Sequence, residues 1–109
     1  MLNNTLTTVF KDVIKSSGLV ASGKLLNSIK VFSTVENFNV KIDIISEDYL
    51  KFLVDKYNLI EKFQSNLYFV KEIENILQPE LEGLVQKILD AQAVEIDIIP
   101  TVTVLLNGL

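Results

Sequence analysis

Carboxylates are the side chains of this chain best suited to chemistry. Asp43, Glu47 and Asp48 fall at a strand-to-helix corner, where oxygen ligands can gather around Ca²⁺ or Mg²⁺. Their spacing fits no calcium-loop pattern, and charge at a helix start beside a solvated strand face accounts for them. Glu95 and Asp97 share one face of a β-prone run, which reads as an exposed face or a contact for a basic partner rather than an acid/base pair. Glu72, Glu74, Glu80 and Glu82 flank Pro79 and read as helix surface. Gly23-Lys24-Leu25 has the Gly-Lys of a phosphate loop but lacks the hydroxyl residue after it and the glycine-rich approach before it. Tyr49, Tyr57 and Tyr68 have faces on which bases could stack, but without arginine they fit a core or an interface better.

What is missing narrows the chemistry further. The chain has no His and no Cys, and its 10 basic residues are all lysine. The usual ligands of zinc, haem and iron–sulfur clusters are therefore lacking, and Ser–His or Cys–His pairs cannot be built. No catalytic residue, cofactor or metal is expected. Without cysteine there is no disulfide framework to point to secretion. A net charge of −4 and the absence of arginine argue against tight phosphate binding, so no specific nucleic-acid contact is expected. The opening MLNNTLTTVFKDVIK has no signal-peptide core, and no apolar run approaches the roughly 20 residues that span a bilayer, so no membrane partner is expected. Yet 49% of residues are hydrophobic and mean hydropathy is +0.34, an apolar balance for so small a domain. Such a chain hides part of its surface against partners.

The elements that would position these residues follow from periodicity. Leu6, Val9, Phe10, Val13 and Ile14 recur at helical spacing, with Asn3, Asn4 or Thr5 to cap and Gly18 to stop, predicting a helix over about 4–17. A short helical turn over 22–28 leads into alternation from Ile29 to Val35. Glu36-Asn37-Phe38-Asn39 is a hairpin loop, and Val40, Ile42 and Ile44 continue the inner face. Ser46 can cap a helix whose stripe is Tyr49, Leu50, Leu53, Val54 and Tyr57. Residues 58–66 form a weakly defined connector. A helix over 67–77 and a second amphipathic segment after Pro79 share one apolar phase, so Pro79 either starts a new helix or kinks a single one. Val94–Ile99 and Thr101–Leu106 are β-prone runs split by Pro100.

These elements predict a single α+β domain over residues 1–109. A small, mostly antiparallel sheet, the central hairpin plus a C-terminal strand, is packed by an N-terminal helix and a long or Pro-kinked C-terminal helix. Val9, Val13, Ile29, Val31, Ile42, Leu53, Leu84 and Ile88 are expected to be buried together. Val94–Ile99 is expected to join the home sheet. Thr101–Leu106 is expected to bend away within a C-terminal arm, residues 100–109, that adds to a neighbouring protein; the alternative keeps both runs on the home sheet.

Ser22-Gly23-x-Leu25-x-x-Ser28-Ile29-x-Val31, the hairpin, and Tyr49-x-x-Phe52-x-x-Asp55 together resemble the central module of the small neck, head–tail connector and tail-completion proteins of tailed bacteriophages. Leu77-Gln78-Pro79-Glu80-Leu81 with the amphipathic segment after it is similar to that family's closing helix. The chain departs from the pattern at Lys56-Tyr57-Asn58, where the family often has Gly-Thr, and in its C-terminal β segment. The resemblance implies a non-enzymatic virion subunit, assembled in the host cytoplasm. It implies a homo-oligomeric ring that joins portal, neck or tail proteins around the DNA channel. An acidic chain suits a wall past which DNA slides without being gripped. The surfaces expected to build the ring are Phe32, Phe38, Tyr49, Phe52 and Tyr57 of the hairpin and its following helix, with Val102, Val104, Leu105 and Leu106 of the C-terminal run. The alternative is a small bacterial α+β adaptor or regulatory protein acting as a homodimer.

Overall fold

A computed structural model describes residues 1–18, 22–47, 50–91 and 100–108. Helix α1 spans Asn4–Ser16, α2 Gly23–Ser28, α3 Leu50–Tyr57, α4 Leu59–Ser65 and α5 Leu67–Ala91; the strands are β1 Lys30–Glu36, β2 Asn39–Ser46 and β3 Thr101–Gly108. The α+β class is as the periodicity predicts.

The start of α1 is fixed by Asn3, whose Oδ1 accepts from the Leu6 N–H at 2.9 Å. Its end is fixed by Gly18, at φ +85°, the left-handed geometry a glycine adopts without penalty just past a helix. Ser22 caps α2 by accepting from the Leu25 N–H at 3.1 Å, and the chain passes through extended Ile29 directly into β1. Asn37 and Phe38 form the hairpin loop, both left-handed at φ 49° and 65°. Two such residues are what a two-residue hairpin turn requires, and they bring Glu36 opposite Asn39 and Lys30 opposite Ile45.

The sheet order is β1-β2-β3. β1 and β2 are antiparallel, but β3 runs parallel to β2, pairing Asn39 with Thr101 and Ser46 with Gly108. The sheet is therefore mixed. Thr101–Leu106 is its third strand rather than an arm leaving the body. The chain returns beside the hairpin tip, where the Thr101 N–H donates to the Phe38 C=O at 3.1 Å, and from there it can only run in the direction of β2. A parallel neighbour needs a long crossover, which the helices between β2 and β3 provide. Pro100 sits ahead of β3 rather than within it, so it removes no ladder bond. The run Val94–Ile99 lies outside the described residues.

Two further elements differ from the sequence reading, and one open alternative is decided. Residues 58–66 are not a connector, because most of them form α4. Its Leu59 and Phe63 are fully buried, and Asn58 makes the bend into it at φ 52°. Of the two alternatives at Pro79, the single helix holds: the proline lies inside the 25-residue α5. Ser46, read as a helix cap, is the last residue of β2 and is itself buried.

The core lies on one sheet face. Val31, Val40, Ile42 and Ile44 meet Leu6, Phe10 and Ile14 of α1, Phe63 of α4, and Phe69 and Ile73 of α5. Of the residues expected there, Val9, Val13, Ile29, Val31 and Ile42 are buried and Leu53 is half-buried against them. Leu84 is only half-buried and stays outside that cluster, and the Ile88 side chain lies outside the described ones. Packing by α5 comes from residues up to Leu77. At the ~1.5 Å rise per residue of a helix, α5 is about 37 Å long. It accounts for much of an elongated molecule of 55 × 22 × 18 Å.

Candidate functional site

The carboxylates that invited a chemical reading are engaged structurally. Asp43 accepts from Asn107 Nδ2 at 3.1 Å and faces Lys41 Nζ at 3.9 Å. Glu47 pairs with Lys24 at 3.6 Å, and Glu72 accepts from Asn3 Nδ2 at 2.8 Å. Asp48, Glu95 and Asp97 lie outside the described residues. Among the described residues there is no group of acidic side chains that could hold a metal ion, and no helix is long and apolar enough to cross a membrane.

What the fold does present is uncovered apolar surface, in three places. The first is α3. Leu50 is buried and Leu53, Val54 and Tyr57 lean on the core, which turns Phe52 outward at 79% exposure. The second is the part of α5 that has left the core. Leu81, Val85 and Leu89 line up along it, and Leu89 is 69% exposed. Beside this row, Leu77, Leu81, Phe38 and Pro100 border a groove of about 340 Å³, with Glu74 and Gln78 at its rim. The third is β3. Val104 and Leu106 are half-buried against the core, while Val102 and Leu105 stand exposed on opposite faces.

The expected interface residues thus fall into different settings. Phe52, Val102 and Leu105 are open to a partner. Phe32 is half-buried on the outer face of β1, where Leu2 bridges to it. Phe38 is 8% exposed at the hairpin tip, beside Leu77, Leu81 and Leu84 of α5 and Pro100. Tyr57, Val104 and Leu106 serve the home core, and Tyr49 lies outside the described residues. The α5 row was absent from the expected surface. Its spacing was visible, but an amphipathic stripe announces only an apolar face, not whether the home chain covers it.

The two edges of the sheet differ sharply. On β1 the outward groups of Val31 and Ser33 are taken. The Val31 N–H donates to Thr7 Oγ1 at 3.0 Å, and the Val31 C=O accepts from the Asn3 N–H at 2.8 Å. The Ser33 N–H donates to the Met1 C=O at 2.9 Å, and the Ser33 C=O accepts from the Met1 amine at 3.2 Å. On β3, by contrast, no described residue pairs along the outer side. Comparison of the chain with protein-family models, with curated proteins and with solved structures returns no match.

Proposed function

We propose that this chain is a structural, non-enzymatic subunit of a bacteriophage head-to-tail connector or tail-completion ring, set around the channel through which DNA passes. The observation that supports the reading best is the apolar row Leu81, Val85 and Leu89 on a helix that extends beyond its own core. A subunit buried on two sides by its neighbours needs such faces, and head-to-tail contacts between two different surfaces close into rings. In this reading the α5 row supplies one surface and the α3 face around Phe52 supplies the other. The order of a capped short helix, a hairpin and α3 is the module on which the resemblance rests. The net charge of −4 suits a wall that DNA passes without adhering.

Electron microscopy of particles assembled with portal and adjacent neck proteins tests the proposal. A closed ring of this chain between portal and tail is expected. Particles in which the chain is absent, or present only as a monomer or an isolated two-fold dimer, would refute it and favour the adaptor reading. Because ring closure can require the portal as a template, behaviour of the chain alone does not enter this test.

A further inference from the structure

We infer that β3 is a self-pairing edge: two copies of this chain join β3 to β3 in antiparallel fashion and make one continuous sheet. The inference goes beyond the ring reading and does not rest on it, since a two-fold contact can coexist with head-to-tail contacts elsewhere on the subunit.

The Thr101 N–H points to β2, where it bonds the Phe38 C=O. Successive residues of a strand alternate, so the N–H and C=O groups of Val102, Val104 and Leu106 point away from β2, along the edge where no described residue pairs. An edge of this kind is normally guarded by charge, a proline, a bulge or a covering loop. From Thr101 to Gly108 there is no charged residue and no proline.

The occupant follows from how those groups can be met. With a two-fold axis at Val104, Val104 opposes Val104 of the second copy and Val102 opposes Leu106. Every outward N–H and C=O of these three residues is then paired, with none left over. The same axis stacks valine and leucine side chains across the join on the core-facing side, where cross-strand pairs of such residues are favourable. On the other face Thr103 meets Leu105 of the second copy. A charge near a two-fold axis meets its own copy, and β3 has none to do so. One strand further out, Lys41 is in register with Thr103 and Asp43 with Leu105. Each row across the joined sheet therefore runs from a lysine in one copy to an aspartate in the other. The opposite edge is a poor rival partner, because Met1, Asn3 and Thr7 already fill the outward groups of Val31 and Ser33 on β1.

Sedimentation equilibrium of the full chain over a wide concentration range, with amide hydrogen exchange, tests the inference. The wild type is expected to dimerise, and the amides of Val102, Val104 and Leu106 to gain protection as the dimer forms. Val104→Pro removes the amide at the axis without touching a β2–β3 bond and should weaken dimerisation by roughly tenfold or more. The double change Thr103→Lys with Leu105→Lys, at exposed positions, sets lysine against lysine and should leave a folded monomer. Mixing it with Thr103→Glu, Leu105→Glu should restore a dimer of the two. A wild type that stays monomeric, or a dimer indifferent to both changes, would overturn the inference. So would a larger oligomer that leaves these three amides unprotected, and that result would leave the ring reading standing.

Discussion

Replacing Phe63 by alanine should remove much of this protein's stability. Phe63 is fully buried, and its ring meets Phe10 and Phe69 edge-on at centroid distances of 5.0 and 4.6 Å. Phe10 belongs to α1 and Phe69 to α5, so one side chain on α4 ties three helices together. Truncating a buried phenylalanine to alanine costs about 3–5 kcal/mol through lost transfer energy and the cavity left behind. Each edge-to-face pair contributes about 0.5–1.5 kcal/mol beyond its buried area. With two such pairs, the upper part of the range applies, about 4–5 kcal/mol. A domain of this size holds about 5–15 kcal/mol in total, so Phe63→Ala should stand near the edge of folding. Urea unfolding followed by circular dichroism is the assay, with the linear slope checked for constancy. Phe52→Ala is the control; being 79% exposed, Phe52 should cost within about 0.5 kcal/mol when truncated. A loss below about 2 kcal/mol for Phe63→Ala would refute the view that α4 belongs to the cooperative core.

Asn3→Ala should cost about 1–2 kcal/mol, because Asn3 caps α1 and its Nδ2 also bonds Ser33 Oγ and Glu72 Oε2; Asn3→Ser should recover the cap alone, and thermal unfolding of the pair separates the two contributions. Pro79→Ala should stabilise α5 by about 1 kcal/mol or more, since an amide hydrogen becomes available to the Asn75 carbonyl within the helix, and a rise in midpoint temperature with a gain in helical signal would register it. Deleting residues 100–109 should destroy or broaden the cooperative unfolding transition, because Val104 and Leu106 pack on the core and β2 loses its parallel neighbour; a truncated chain that unfolds as sharply as the full one would return β3 to the status of an arm.

Local signals carried most of the fold. The helical recurrence of Leu6, Val9, Phe10, Val13 and Ile14 gives α1 and its buried face directly, and alternation gives the hairpin and its inner residues. The elements misread were those decided by distant parts of the chain. Leu59, Ile60 and Phe63 span too little sequence to show a period, and α4 draws its definition from Phe10 and Phe69 across the core. At Pro79 the shared apolar phase leaves a single helix open as one of two alternatives, and Leu77 before it and the exposed row after it do belong to one rod. The pairing of β3 depends on where the crossover delivers Thr101, which composition does not encode. The surface followed the same rule. Phe52, Val102 and Leu105 were legible as apolar residues and stand exposed, whereas Phe38 is buried beside α5 and Pro100, which lie far from it in sequence.

The parallel pairing of β2 with β3 also orders events in time. β1 and β2 are joined by the two residues Asn37 and Phe38, so their ladder can close in roughly microseconds. Asn39 and Thr101 meet across 62 residues of chain, and closing a loop of that length carries an entropic cost of about 3–4 kcal/mol. That closure can be repaid only after α1, α4 and α5 have assembled the surface on which Val104 and Leu106 settle. During synthesis, at about 5–20 residues per second, the hairpin therefore waits several seconds with its third strand still unmade. Throughout that interval the β3-facing side of β2, at Val40, Ile42 and Ile44, is an unpaired apolar edge. On crowded polysomes, neighbouring nascent chains can capture that edge before the chain's own β3 arrives.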